Sequence, residues 1–230
     1  MVRVRLAVVA LVGVLGSVVA LPGSQAPETG GLAGHVKLKP RVGGAALPST
    51  AYPTRAVGPR ETHAIPEIKN VVVYLKNAAF HGTLPPRKAE LHQEHETFVP
   101  HVLAVTRGST VDFPNDDPIY HNVFSLSSAA SFNLGRYPKG ESRHETLTKA
   151  GIVKVYCQIH SHMSATILVF DHPFFTIPEL DGSFELPNLP AGDYTVVGWH
   201  ERVGERVVAV HVEAGKTTTV DLSLPVEESR

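Results

Sequence analysis

No window of this chain keeps apolar residues at the three- and four-residue spacing of a helix. Instead, short stretches alternate apolar and polar residues and stop at glycine or proline. Residues 152–157 put Val153, Val155 and Cys157 on one face, and residues 68–76 do the same with Val71, Val73 and Leu75. The 19 glycines and 18 prolines supply frequent breaks, too many for a helical protein of this length. The pattern predicts an all-β chain. Further strands are expected at 34–38, 123–126, 165–170, 208–212 and 220–224. Two more are expected within 88–113, broken around Phe98-Val-Pro100 and turned at Arg107-Gly-Ser109. Residues 80–87 and 127–143 read as loops.

The chain has 230 residues, 43% of them hydrophobic, enough for one large core or two small ones. Its net charge of -1 argues against nucleic acid as a partner. Arg3 and Arg5 precede an uncharged apolar run from Leu6 to Ala20, which reads as a secretory signal peptide over 1–20. Ser24-Gln25-Ala26 offers a later cleavage position, at 26. The run is shorter than the roughly 20 apolar residues that a membrane span needs. The expectation is a periplasmic or secreted protein with no stable membrane insertion after cleavage. Residues 21–62 are rich in Pro, Gly, Ala and Thr, especially 42–60.

Cys157 is the single cysteine, and an exported lone cysteine has no intramolecular disulfide partner. Taken alone it reads as a small buried core residue. Its surroundings, Cys157-Gln-Ile-His160-Ser-His162-Met163, argue otherwise. A thiolate, two imidazoles and a weak axial thioether form the ligand set of a blue-copper centre. The second imidazole must come from elsewhere, and His121, in the loop before residues 123–126, is the best candidate. His162 competes with His160, although adjacent loop positions usually face apart. Zinc would accept the thiolate and imidazoles, but the methionine points to copper.

The other histidines fit blander roles. His92 and His95, near His81 and His101, are three apart on a strand and face opposite sides, so a second shared metal is not expected. His144, His172, His200 and His211 read as surface or packing residues. Asp116 and Asp117, beside Pro118, read as turn formers. No nucleophile–base pair and no open metal position is evident, so an enzyme is not expected.

Residues 90–171 resemble the cupredoxins. The resemblance rests on Phe98-Val-Pro100, Gly108-Ser-Thr110-Val111, Phe113, Asn115-Asp-Asp117, His121 and Gly151-Ile-Val153-Lys-Val-Tyr156-Cys157-Gln-Ile-His160-Ser-His-Met163. The pattern is similar to plastocyanin- and amicyanin-like bacterial proteins described as methylamine-utilisation proteins. It implies a Greek-key β-sandwich over 79–171. It also implies His121, Cys157 and His160 as equatorial ligands and Met163 as the axial one. One copper per chain would cycle between Cu(I) and Cu(II), passing single electrons to redox partner proteins that dock on the apolar rim beside His160. Asn122 would tie the two ligand loops together by hydrogen bonds.

The C-terminal part is similar to the transthyretin-like regulatory domain of carboxypeptidases, a small prealbumin-like β-sandwich. The residues are Asp181-Gly-Ser-Phe184-Glu-Leu186 and Leu189-Pro-Ala-Gly192-Asp-Tyr194-Thr-Val196. The first strands of that family match Gly34-His-Val-Lys-Leu38 and Val71-Val-Val-Tyr-Leu75, far upstream. A discontinuous domain of 30–78 plus 172–226 is therefore expected, with the cupredoxin inserted; the alternative is two sequential domains. Besides electron transfer, the same ligands suit copper delivery or storage, and an exported structural or interaction module with incidental metal binding is a third reading.

Overall fold

Residues 29–38, 66–76, 78–84 and 86–224 are described by a computed structural model. The expected signal peptide and the stretch 42–60 lie outside the described residues. Among the described residues no helix is long and apolar enough to cross a membrane. The chain is all-β, as the alternation predicts. The first strands are β1 (Thr29–Leu38) and β2 (Val71–Lys76), with a 3-10 turn (Glu67–Asn70) directly before the second. The middle holds β3 (Lys88–Glu90), β4 (His92–Glu94), β5 (Thr97–Val99), β6 (Val102–Thr106), β7 (Thr110–Pro114), β8 (His121–Leu126), β9 (Ser131–Tyr137), β10 (Ser142–Thr146), β11 (Gly151–Tyr156) and β12 (Ser164–Phe170). The end holds β13 (Phe175–Thr176), β14 (Ser183–Pro190), β15 (Gly192–His200), β16 (Gly204–Val212), β17 (Thr217–Thr219) and β18 (Leu222–Leu224).

Two sandwiches result. In the first, the sheet β6-β12-β11-β8-β9 faces the sheet β10-β7-β3. Val105, Val123, Val153, Val155, Ala165 and Ile167 from one meet Val111 and Phe113 from the other in a continuous core. In the second, β13-β2-β15-β16 faces a sheet in which β1 is flanked by β14 on one side and by β17 and β18 on the other. β1 and β2 precede the first sandwich in the chain, yet their ladders run to strands that follow it.

The unbroken Val71-Val-Val-Tyr-Leu75 run has a physical reason. Val71, Val73 and Leu75 fill the core of the second sandwich. Val72 and Tyr74 point the other way, into a seam with Val102, Leu168 and Phe170 of the first sandwich, where Trp199 and Phe175 also pack. A strand buried on both faces needs apolar residues at every position, which hides the alternation. The glycine of Asp181-Gly182 also has a structural basis. Gly182 has φ of 89°, and a Cβ there would lie 2.3 Å from the Val36 carbonyl oxygen, so only glycine fits.

Three expectations are corrected. Residues 127–143 are not a loop: β9 lies within them and β10 begins at Ser142. The alternation of Phe132 and Leu134 with polar residues is present, but Gly135, Pro138 and Gly140 masked it. The stretch 88–113 forms five strands, the last running on to Pro114, because a two-residue turn at His95-Glu96, both with positive φ, folds β4 onto β5. Residues 68–70 belong to the 3-10 turn, so β2 begins at Val71.

The connection from β12 to β13 carries a buried histidine. His172 is 5% exposed, and its ring lies against Phe174 at 5.8 Å and Phe170 at 5.4 Å. Its Nδ1 accepts the Phe174 amide at 3.2 Å, which requires that nitrogen to be unprotonated. Burial holds its pKa below the usual 6.5, outweighing the opposing pull of Asp171 and the Leu75 backbone. A depressed histidine pKa means that the unfolded chain takes up this proton first as pH falls. The contribution is thus complete above about pH 6.5 and declines as pH drops below it toward the folded-state value. Urea unfolding at pH 7.5 and 5.5 is expected to show a smaller loss of stability on acidification in His172→Leu than in the native chain.

Candidate metal centre

Two turns bring the site together. The first is the loop from β7 to β8, shaped by Asn115. Its Nδ2 donates to the carbonyls of Ile119 at 2.9 Å and Tyr137 at 3.1 Å, and its Oδ1 accepts the Asp117 amide at 3.0 Å. This delivers His121 as the first residue of β8, fully buried. The second is the loop from β11 to β12. The alternation that buries Val153 and Val155 continues to Cys157, which is 3% exposed. The loop closes on itself: the Cys157 amide donates to the Met163 carbonyl at 3.3 Å, and the Met163 amide to the His160 carbonyl at 3.0 Å.

The result is a triangle of donor atoms. Cys157 Sγ lies 3.9 Å from His121 Nδ1 and 3.8 Å from His160 Nδ1, and the two nitrogens are 3.0 Å apart. A first-row divalent ion with bonds of roughly 2.3 Å to sulfur and 2.0–2.1 Å to nitrogen, at the centre of a plane, sets sulfur–nitrogen separations of about 3.8 Å and a nitrogen–nitrogen separation of about 3.6 Å. The two sulfur sides match. The nitrogen side is shorter because 3.0 Å is a hydrogen-bond length: one imidazole donates to the other, and an ion would take the place of that proton. The donor set therefore fits a soft-to-borderline metal. Among the described residues this is the one cluster of three or more metal-ligating His, Cys, Asp or Glu side chains. Met163, 1% exposed, packs in the same core cluster as Cys157.

The remaining singled-out residues are placed as follows. Asn122 accepts the Gln158 amide at 3.3 Å, linking β8 to the Cys157 loop, and donates to Asn133 Oδ1 at 2.8 Å. His162 is exposed and pairs with Glu96 at 3.3 Å, away from the triangle of donor atoms. His92 does not join a metal cluster. Its ring bridges Asp116 at 2.7 Å and Glu90 at 2.9 Å, and although burial lowers its pKa, the two carboxylates outweigh this and raise it.

The residue that sequence reasoning missed is Asp117. It is a turn residue, as expected, but its carboxylate also braces the site. His121 Nε2–H donates to Asp117 Oδ2 at 2.7 Å, while the amides of His95 and Glu96 donate at 2.7 and 2.8 Å. Burial acts to raise its pKa; the two amides and His121 together hold it below the usual carboxylate value. With Nε2 committed to this bond, Nδ1 turns its lone pair to the site, the arrangement by which a carboxylate orients a ligating histidine. An Asp four residues before a suspected His ligand was the available signal.

No family model matches the chain, and no curated protein matches it. Solved structures similar to part of it include a copper-containing nitrite reductase from Thermus scotoductus SA-01, 25% identical over 41% of this chain, with a TM-score of 0.36. Amicyanin from Paracoccus versutus is 20% identical over 36% of this chain, with a TM-score of 0.34. A reduced single-substitution variant of amicyanin is 22% identical over 36%, also at 0.34. The similarity spans 25% of the nitrite reductase and 81–82% of the amicyanins. The chemistry of the site rests on its own donor atoms.

Removing the brace leaves a buried imidazole N–H and two amides without their acceptor. Asp117→Ala is expected to cost the metal-free protein about 2–3 kcal/mol by denaturant unfolding, whereas Asp116→Ala, whose carboxylate is solvent-facing, is expected to cost under about 1 kcal/mol.

Proposed function

We propose that the chain is an exported type 1 copper protein that carries single electrons between protein partners. The observation that carries this reading is the triangle of one thiol and two imidazole nitrogens, with Met163 in the same core cluster as Cys157. Cys157, His121 and His160 would hold the ion, with Met163 as a fourth, weaker ligand. Copper supplies a one-electron couple whose potential responds to the axial ligand and to burial around the cysteine sulfur.

The chain's own residues do the rest. Asp117 fixes the ring of His121, and Asn122 holds the Cys157 loop against β8. Both loops are anchored to strands, so the ligands are held in one arrangement. Burial of Cys157 and His121 keeps water from the thiolate. His160 alone of the three is partly exposed, and its ring is the contact for an incoming or departing electron. Ile119, Tyr120 and Ile159 are 38%, 59% and 38% exposed, and each lies within two residues of a ligand in sequence. They offer an apolar rim to a partner. With four side chains committed to the metal, no position is left for a substrate, so we read a carrier rather than an enzyme. Export rests on the N-terminal sequence. The pairing of β1 and β2 with β14–β18 supports reading the second sandwich as a discontinuous, transthyretin-like domain into which the copper domain is inserted.

Copper-loaded protein is expected to show an intense visible thiolate-to-copper band and narrow copper hyperfine splitting in EPR, both abolished in Cys157→Ser. A pale, ordinary cupric spectrum would contradict the reading. Fast reversible electrode cycling supports a carrier; slow cycling with transfer of the ion to an acceptor would favour copper delivery instead.

A further inference from the structure

The base of the hairpin that carries Cys157 and Met163 is gripped from the other sandwich. Glu201 lies in the turn between β15 and β16. One of its oxygens accepts from Lys154 Nζ, in the middle of β11. The other accepts from His101 Nε2 at 2.8 Å. His101 in turn sits against the first residues of β12: its Nδ1 lies 3.0 Å from the Ser164 carbonyl oxygen, and its own carbonyl accepts the Thr166 amide at 2.9 Å. Lys154 also donates to Thr166 Oγ1 at 2.9 Å. A single carboxylate therefore joins the strand that ends beside Cys157 to the strand that begins beside Met163.

The turn that presents Glu201 is itself fixed. His200, 2% exposed, donates from Nε2 to Glu67 at 2.8 Å and accepts the Arg202 amide on Nδ1 at 3.2 Å. Glu67 belongs to the 3-10 turn before β2. The backbone on either side of Glu201 is thus tied to the second sandwich, and its side chain reaches into the first. Partial burial acts to raise its pKa, but Lys154 and His101 outweigh this and keep it ionised.

We propose that Glu201 is a positioning residue for the candidate metal centre, through which the second sandwich holds the Cys157–Met163 loop in its ligating shape. This rests on the copper reading above for its consequence, but not for its mechanics. The grip acts on the Lys154–Thr166 pair of the ladder and on Ser164, whose pairing with Tyr156 is the last before the loop opens. Loosening it frees the Cys157 amide from the Met163 carbonyl, and with it the relative position of thiolate and thioether.

Amide hydrogen exchange of the metal-free protein tests the mechanics. Glu201→Ala is expected to speed exchange at Cys157 and Thr166 about tenfold, with Glu201→Gln intermediate because it keeps an acceptor for His101 but no charge for Lys154. Glu205→Ala, which removes only an exposed pairing with Lys76, is expected to leave both amides unchanged. In copper-loaded protein, Glu201→Ala is expected to lose the ion to a chelator about tenfold faster, as outer hydrogen-bond partners of a metal site do when removed. Unchanged exchange at Cys157 and Thr166, with or without a lowered melting temperature, would overturn the proposal. Faster exchange in a protein whose copper spectrum is pale would uphold the grip and sink the copper reading instead.

Discussion

The centre depends on where one antiparallel ladder stops. β11 and β12 pair residue by residue from Gly151 with Val169 to Tyr156 with Ser164, and the seven residues between them carry Cys157, His160 and Met163. Side chains alternate across a strand, so a slip of one residue in this register would turn Cys157 out of the core and Tyr156 into it. The slip is opposed by Val153, Val155, Ala165 and Ile167, all buried in one cluster with Cys157 and Met163. The placement of Cys157 and Met163 is thus a by-product of hydrophobic packing along the whole hairpin. The polar groups refine it.

Those polar groups divide the work by burial. Asp117 is a charged group in a nearly closed place, and desolvation alone would favour its neutral form. Three donors, an imidazole and two amides, converge on it and together outweigh the loss of hydration. His162 and Glu96 form a similar pair of residue types, but both are about half exposed, and a pair of that kind contributes little to stability. Two His–carboxylate contacts near one site therefore carry unequal weight. The inner one orients a candidate ligand, and the outer one decorates the surface.

Much of this was legible in the sequence, and what was not has physical reasons. The alternation through Val153, Val155 and Cys157 places the cysteine in the core from local residues alone, and the spacing of His160 and Met163 confines them to one short loop. His121 needed a long-range guess, guided by its position before an apolar strand. Asp117 was hidden because Asp-Asp-Pro has the composition of a turn, and a turn is indeed what it forms; its second role comes from the β4–β5 hairpin folding over it. The strand at 131–137 was obscured by Gly135 within it and by Pro138 and Gly140 just after it. Contacts such as His101 with Glu201, 100 residues apart, leave no local trace, since each residue alone reads as a surface polar group.

The most direct measurement is a crystal structure of the copper-loaded protein, refined together with its metal-free form. One copper ion bound by Cys157 Sγ and by Nδ1 of His121 and His160, with Met163 Sδ at a longer distance and Asp117 still on His121 Nε2, is the expected result. Copper bound elsewhere, bound through His162 in place of His160, or bound only after the 157–163 loop refolds would contradict the preformed site on which everything else here depends.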